Sequence, residues 1–424
     1  MDKVIEAVRW FVSLPSPALM FFIFFVINLI FGMKFTRALK AALLYALGLF
    51  ALSTFAFDVF LGTVGGAATA MIQRLGLSMS AVDYGVGVTP IIMAKPLVLL
   101  ALPVGLLTNF VMLALRWTKT LDVDIWNVIY FMGATGVLVF VATNNIAFAV
   151  LSIIISMVIT LKVADWSSKH ISDVLPKFKG LSFPYVYSIF YTPLAYWFNK
   201  LFDLVPAIKN SKLSAADVRK KVGIFGEPAM IGFIVGLIMA ILAGYDFQNI
   251  VLTGIKVGAS LHFIPMTMSV LIEGLSETTT VIAEWAQDKF KDREFLIGMD
   301  GVLPAAEPEA LAVGALMAPI AIIVSLILPG NTVLPVGMLS VTFILIGLSM
   351  PFFKMNILKG LLFSVVVIAI ELWLGTIMAP YFTQLAIEGG VAIPYGATQI
   401  TNACCATNVL NVKVFELIGN LFRP

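Results

Sequence analysis

The chain has 424 residues, 60% of them hydrophobic and only 12% charged, with a mean hydropathy of +1.01. That composition excludes an ordinary soluble domain and points to an all-α polytopic membrane protein. The formal charge of +3 decides little by itself, whereas the placement of the charges orients the chain. The opening stretch, MDKVIEAVRWFVSLPS, reads as an amphipathic helix leading into a first span and not as a cleavable signal. Apolar runs that cross a bilayer, or nearly so, follow at 17–32, 39–60, 93–115, 125–142 and 146–165. Beyond a basic stretch come 228–245, 249–272, 306–329, 334–350 and 357–380, giving about ten spans. The segment 183–206 carries Lys200 and Asp203 and, as a full span, would put its basic flanks on opposite faces. It reads as re-entrant or interfacial.

The two halves resemble each other at an offset of 211 to 217 residues. SPALMFFIF answers EPAMIGFIV, which pairs Pro17 with Pro228, and FGMKF answers AGYDF, which pairs Gly32 with Gly244. Asp83 in AVDYGV pairs with Asp300 in GMDGVL, Pro103 with Pro319, TLDVDIWN with VLPVGMLS, and Asn145 with Asn356. Five spans per copy is odd, so the second copy runs through the membrane upside down. The predicted organisation is a first inverted repeat at 1–165, a cytoplasmic linker with a re-entrant or interfacial segment at 166–227, and a second repeat at 228–380. A C-terminal segment follows at 381–424, for which a re-entrant path is one reading. With the N-terminus outside, Lys34, Arg37, Lys40, Arg116, Lys119 and the basic linker all face the cytoplasm, as the positive-inside rule asks.

Both repeats contain a broken segment, VDYGVGVTPIIMAKPLVLL in one and GMDGVLPAAEPEALAVG in the other. Paired interruptions of this kind mark a substrate site near the midplane, where irregular backbone faces a cavity. A charge facing lipid there costs ~2.5–3.5 kcal/mol on insertion scales, so the charged groups face protein or water. Asp83, Asp300, Lys95, Glu307 and Glu309 are the candidates. Their plainer roles stay open: turn residues for the two aspartates, a first-turn helix carboxylate for Glu309, and an ion pair between Lys95 and Glu307 or Glu309. His262 reads as a packing residue, His170 as solvated, and the adjacent Cys404 and Cys405 as structural. DVDIWN adds Asp124, Trp126 and Asn127, and FPYVYSIFYTP adds Tyr185, Tyr187 and Tyr191. Carboxylates and amides that share hydroxyls, with aromatic faces for the carbon skeleton, suit an uncharged polyol. Neither a P-loop nor an H-E-x-x-H or G-x-S-x-G motif is present, and no resident cofactor or metal is called for.

LDVDIWN, FGEPAMIGFIVGLIMAILAGYD, EFLIGMD and LILPGNTVLPVG together resemble the galactitol-type IIC permeases of the bacterial phosphoenolpyruvate-dependent phosphotransferase system, over residues 15 to 388. That family shares a superfamily with the ascorbate permeases. The resemblance implies a homodimer in the inner membrane, each protomer a scaffold of spans one, two, six and seven with a core that moves like an elevator. It implies a sugar alcohol presented to a cytosolic IIB protein bearing a phosphocysteine fed through IIA, so that no phosphorylated catalytic residue lies on this chain. It also points to Asn127, Tyr185 and Asp300 as substrate contacts. Arg116, Lys119, Arg219, Lys220 and Lys221, on the predicted inner face, are candidates to steer IIB. An ion-coupled secondary transporter using Asp83, Asp300, Glu307 and Glu309 is the competing reading.

Overall fold

A computed structural model of the chain describes residues 11, 14–76, 79–88, 91–92, 95–124, 127–211, 228–289, 294–335, 337–390, 393, 397–402 and 409–421. Arg219, Lys220, Lys221, Trp126, Cys404 and Cys405 lie outside them. Helix α1, Ser16–Ile30, carries Pro17 in its first turn, where the missing N–H has no helical partner to lose. It stops at Gly32, whose φ of +88° suits glycine alone. Helix α2, Phe35–Ser53, runs through a π-helical stretch, Thr54–Leu61, into α3, Gly62–Arg74. Strand β1, Ala81–Asp83, precedes two 3-10 turns, and the second, Pro96–Leu100, leads into α4, Ala101–Ala114. Strand β2, Thr120–Asp122, a π-helical stretch, Asn127–Met132, α5, Gly133–Thr143, and α6, Ile146–Val174, follow.

The linker holds β3, Leu181–Ser182, and three short helices, α7, Val186–Ile189, α8, Tyr191–Phe202, and α9, Pro206–Lys209. None of the three is long enough to cross a bilayer. Then come α10, Pro228–Ala243, α11, Phe247–Lys289, β4, Leu296–Gly298, α12, Val302–Ala305, and α13, Pro308–Ile327. Strand β5, Val333–Leu334, α14, Thr342–Gly347, α15, Ile357–Glu388, β6, Gln399–Thr401, and α16, Val409–Leu421, complete the described chain.

Among the described residues, Pro96–Ala114, Ile146–Val174 and Ile357–Glu388 are each long and apolar enough to cross a membrane. Pro308–Gly314 and Pro319–Ile327 form a fourth span if the 42° bend between them is counted within one crossing, and Pro319 inside the helix explains the bend. Shorter apolar helices lie at Pro17–Ile30, Tyr130–Thr143 and Gly232–Ala243. One expected span is corrected. The run 334–350 is the end of a strand, a 3-10 turn and the six-residue α14, because an apolar stretch without helical periodicity suits a buried broken segment equally well.

Helices α1, α2, α10 and α11 pack on one another as a group. Where α10 crosses α11, a Cβ on Gly232 or Gly236 would meet the backbone of residues 253–258 at 2.8–3.1 Å, so the two helices touch main chain to main chain. Arg37 of α2 pairs with Glu277 of α11 at 2.6 Å. The remaining helices surround two small parallel sheets, ordered β5-β1-β6 and β2-β4-β3. In the first, a strand from the N-terminal half lies between two later ones; in the second, β4 lies between two earlier ones. The landmarks aligned in sequence share local structure. Gly32 and Gly244 both turn at positive φ. Asp83 and Asp300 each follow or end a central strand and accept an N–H from two residues on. Asn145 and Asn356 cap α6 and α15 by accepting backbone N–H groups.

Candidate functional site

The strands of the β2-β4-β3 sheet all start at an exposed rim and run inward. Lys119 and Glu294 stand at the rim, paired at 2.6 Å, and the bond to Glu294 holds the Lys119 ammonium above the usual lysine range. Thr120 and Ser182 hydroxyls, 2.8 Å apart, join β2 to β3 inside it. At the carboxyl ends the chain delivers three segments to one place: Val123, Asp124 and Asn127 after β2, 299–301 after β4, and 183–185 after β3. Ligands of parallel sheets gather at such strand ends, where loops diverge and backbone is free to bind.

Each loop is held by its own polar groups. The Asp122 carboxylate accepts the Asp124 N–H at 3.0 Å, and Asp124 accepts the Asn127 N–H at 3.1 Å. The Asn127 amide donates to the Pro184 carbonyl at 2.6 Å and accepts the Val186 N–H at 3.0 Å. Asn127 therefore clamps the turn that carries Tyr185, and the Tyr185 ring packs edge-on to Phe131 with centroids 5.2 Å apart. Gly301 lies beneath that ring: a Cβ there would come within 2.7 Å of it. Asp300 accepts the Val302 N–H at 2.8 Å. A cavity of about 30 Å³ is lined by Asp124 and Asp300 from the loops and by Met20, Phe24, Tyr45 and Leu49 from α1 and α2. It lies between the α1–α2 pair and the sheet.

The other candidates take different places. Asp83 is fully buried in the opposite sheet, where its carboxylate accepts the Gly85 N–H at 3.0 Å and the Met338 N–H at 2.6 Å. It ties the broken segments of the two halves together at Gly85 and Gly337, whose backbones leave no room for a Cβ. Lys95 pairs with Glu388 at the end of α15, at 2.5 Å, and not with Glu307 or Glu309 as one expectation had it. Glu307, at the head of α13, pairs with Lys177 of the linker. Glu309 sits in the first turn of α13, where a carboxylate complements the helix dipole. Arg116, at positive φ, and Lys119 are exposed in the turn after α4.

Two groups, one at this cavity and one away from it, had little or no signal in the sequence. Tyr45 reads as one more aromatic in an apolar helix until α2 folds over the acidic loops. Glu371, fully buried in α15, accepts from the Tyr191 hydroxyl at 2.7 Å, while its other oxygen has no partner among the described residues. No group of three His, Cys, Asp or Glu side chains among those residues is placed to hold a metal ion.

The family described as the PTS system sugar-specific permease component matches residues 11–396. The chain belongs to this family, in its galactitol type. The permease is 29% identical over 386 residues to the galactitol-specific EIIC component of Escherichia coli K12, a match covering 91% of this chain and 85% of that one. The protein of the same name from Escherichia coli O157:H7 matches equally. A putative permease IIC component of Escherichia coli K12 is 30% identical over 411 residues, covering 97% of the permease and 93% of its relative. Family and apolar helices together make the permease a multi-pass protein of the bacterial inner membrane.

Proposed function

We propose that the chain is the membrane subunit of a sugar phosphotransferase system that binds a galactitol-like polyol and carries it inward for phosphorylation by IIB. The observation that carries this reading is the cavity between α1–α2 and the acidic loops. Asp124 and Asp300 offer carboxylate acceptors for hydroxyls, Tyr45 a phenol, and Phe24 an apolar face. At about 30 Å³ it holds a water or two, so a polyol enters only when α1 and α2 part from the sheet. Such parting is the relative motion of an elevator, with α1, α2, α10 and α11 as scaffold and the two sheets with their helices as the moving core. The matched helix ends, aspartate turns and asparagine caps support two inverted repeats, and hence an odd number of spans in each. On this reading the N-terminus is outside, the protomers pair as a homodimer, and the β2-β4-β3 rim faces the cytosol. There Arg116 and Lys119, with the linker cluster Arg219, Lys220 and Lys221, steer phospho-IIB.

Binding of galactitol to purified Asp300→Asn and Asp124→Asn variants tests the site. A lost charge-assisted hydrogen bond to a bound hydroxyl weakens affinity by about tenfold to a hundredfold, with thermal unfolding little changed. Wild-type affinity in both variants would place the site elsewhere. One observation favours the ion-coupled alternative: Glu371 buries a carboxyl group with an unpartnered oxygen inside a span, as a proton or cation site would.

A further inference from the structure

A second and much larger cavity, of about 850 Å³, lies between α1 and α4. Phe22, Ile27 and Ile30 wall it on one side, Leu106 and Leu113 on the other, and Trp285 and Phe295 stand at one end. The wall residues run in step along both helices, from Phe22 and Leu106 at the deep end to Ile30 and Leu113 at the mouth. Nine residues of helix make the cleft roughly 14 Å long. Its mouth lies beside the β2-β4-β3 rim, since Phe295 adjoins Glu294, and Trp285 meets Phe31 there edge-on with centroids 4.8 Å apart. An indole at that depth is the usual mark of a membrane interface. The flanks are apolar and open outward: Phe22 is 43% exposed, Ile30 70% and Phe110 61%. In a chain that spans a membrane these flanks face lipid, so the cleft opens to the bilayer and not to water.

Among the described residues the wall contains two polar ones, Asn109 and Asp122. Asn109 is satisfied, donating to the Thr120 carbonyl at 2.8 Å and accepting the Asp122 N–H at 3.0 Å. Asp122 is 2% exposed, and its Oδ2 has no partner among the described residues. An acceptor left alone beside an apolar cavity asks for a donor from whatever fills it. Asp122 stands three residues in from the exposed Lys119, roughly 10 Å below the rim at the rise of a strand.

We infer that this cleft binds the acyl chain of a phospholipid whose primary ammonium headgroup donates to Asp122. The fit is twofold. A chain of roughly ten carbons fills the apolar length, and an N–H donor completes the carboxylate. The polyol reading is not needed for this inference, which rests only on the chain crossing a membrane. The cleft does separate helix α1 of the proposed scaffold from α4 of the proposed core, so a lipid there would fill the surface along which the two slide.

Native mass spectrometry of the delipidated protein, with phosphatidylethanolamine and phosphatidylcholine of equal chain length added in competition, is the test. Both lipids are zwitterionic, and only the first has N–H donors. The wild type is expected to retain one ethanolamine lipid per chain, preferred about tenfold or more over choline, with affinity rising with chain length and then levelling. Asp122→Asn should bring the two lipids within about threefold of each other. Leu113→Lys, at a half-exposed wall position, offers Asp122 an internal ammonium and should abolish the preference even if Asp122→Asn fails to fold. Equal, non-saturating retention of both lipids, or a cleft closed by a second copy with no lipid bound, overturns the inference. Galactitol binding measured on the wild-type and Leu113→Lys samples reports separately on the polyol site, since Asp122 also holds the turn that carries Asp124.

Discussion

Asn127 shows how one side chain organises the candidate site. Its amide satisfies a carbonyl and an N–H on either side of Tyr185, and its own N–H is held by Asp124. Replacing it by alanine orphans two buried backbone groups, at about 1–3 kcal/mol each, and releases the turn that carries Tyr185. Asn127→Ala is therefore expected to lower the thermal unfolding midpoint and weaken galactitol binding together. Tyr185→Phe, which keeps the packing against Phe131, should leave stability near that of the wild type. Calorimetry and binding on both variants check this; an Asn127→Ala protein with unchanged stability would mean the clamp is not formed. At this scale the sequence was legible where a motif names the residue. Asn127, Tyr185 and Asp300 stand in quotable stretches, and the structure brings all three to the end of one sheet. Long-range partners were not legible. Lys95 with Glu388, Glu307 with Lys177, and Tyr45 over Asp300 depend on how helices far apart in sequence come to lie, which local pattern does not encode.

Among the elements, the long apolar helices were readable because twenty apolar residues leave few alternatives. The sheets were not, since strands of two or three residues carry no period to detect. The same weakness misread 334–350, whose apolar run becomes a strand end, a 3-10 turn and a short helix. Lys200 and Asp203 disfavoured a span at 183–206, and the chain there breaks into three short helices, with the Lys200 ammonium 4.4 Å from the Tyr196 ring centre and Asp203 paired to Lys359 at 2.8 Å. If the linker is wholly cytoplasmic, single cysteines at Lys177 and Lys209, in a protein lacking Cys404 and Cys405, should react with an impermeant maleimide only from the inner face. Labelling of both from outside would invert the topology.

For the whole molecule, hydropathy and the ordered landmarks pointed to a polytopic helical protein built twice over. The interleaving of the halves was beyond them, because each sheet takes its central strand from one half and a flanking strand from the other. On the proposed elevator reading, such interlocking lets the core move as one body and carry both aspartate turns past α1, α2, α10 and α11. Substrate chemistry decides what that body carries and in what form it leaves. The most direct measurement is uptake of labelled galactitol into vesicles holding the permease, with phospho-IIB supplied at the face bearing the β2-β4-β3 rim. Label appearing with phospho-IIB as a galactitol phosphate, and little accumulating without it, is the predicted result. Unmodified galactitol accumulating under a proton or sodium gradient, indifferent to phospho-IIB, would contradict it.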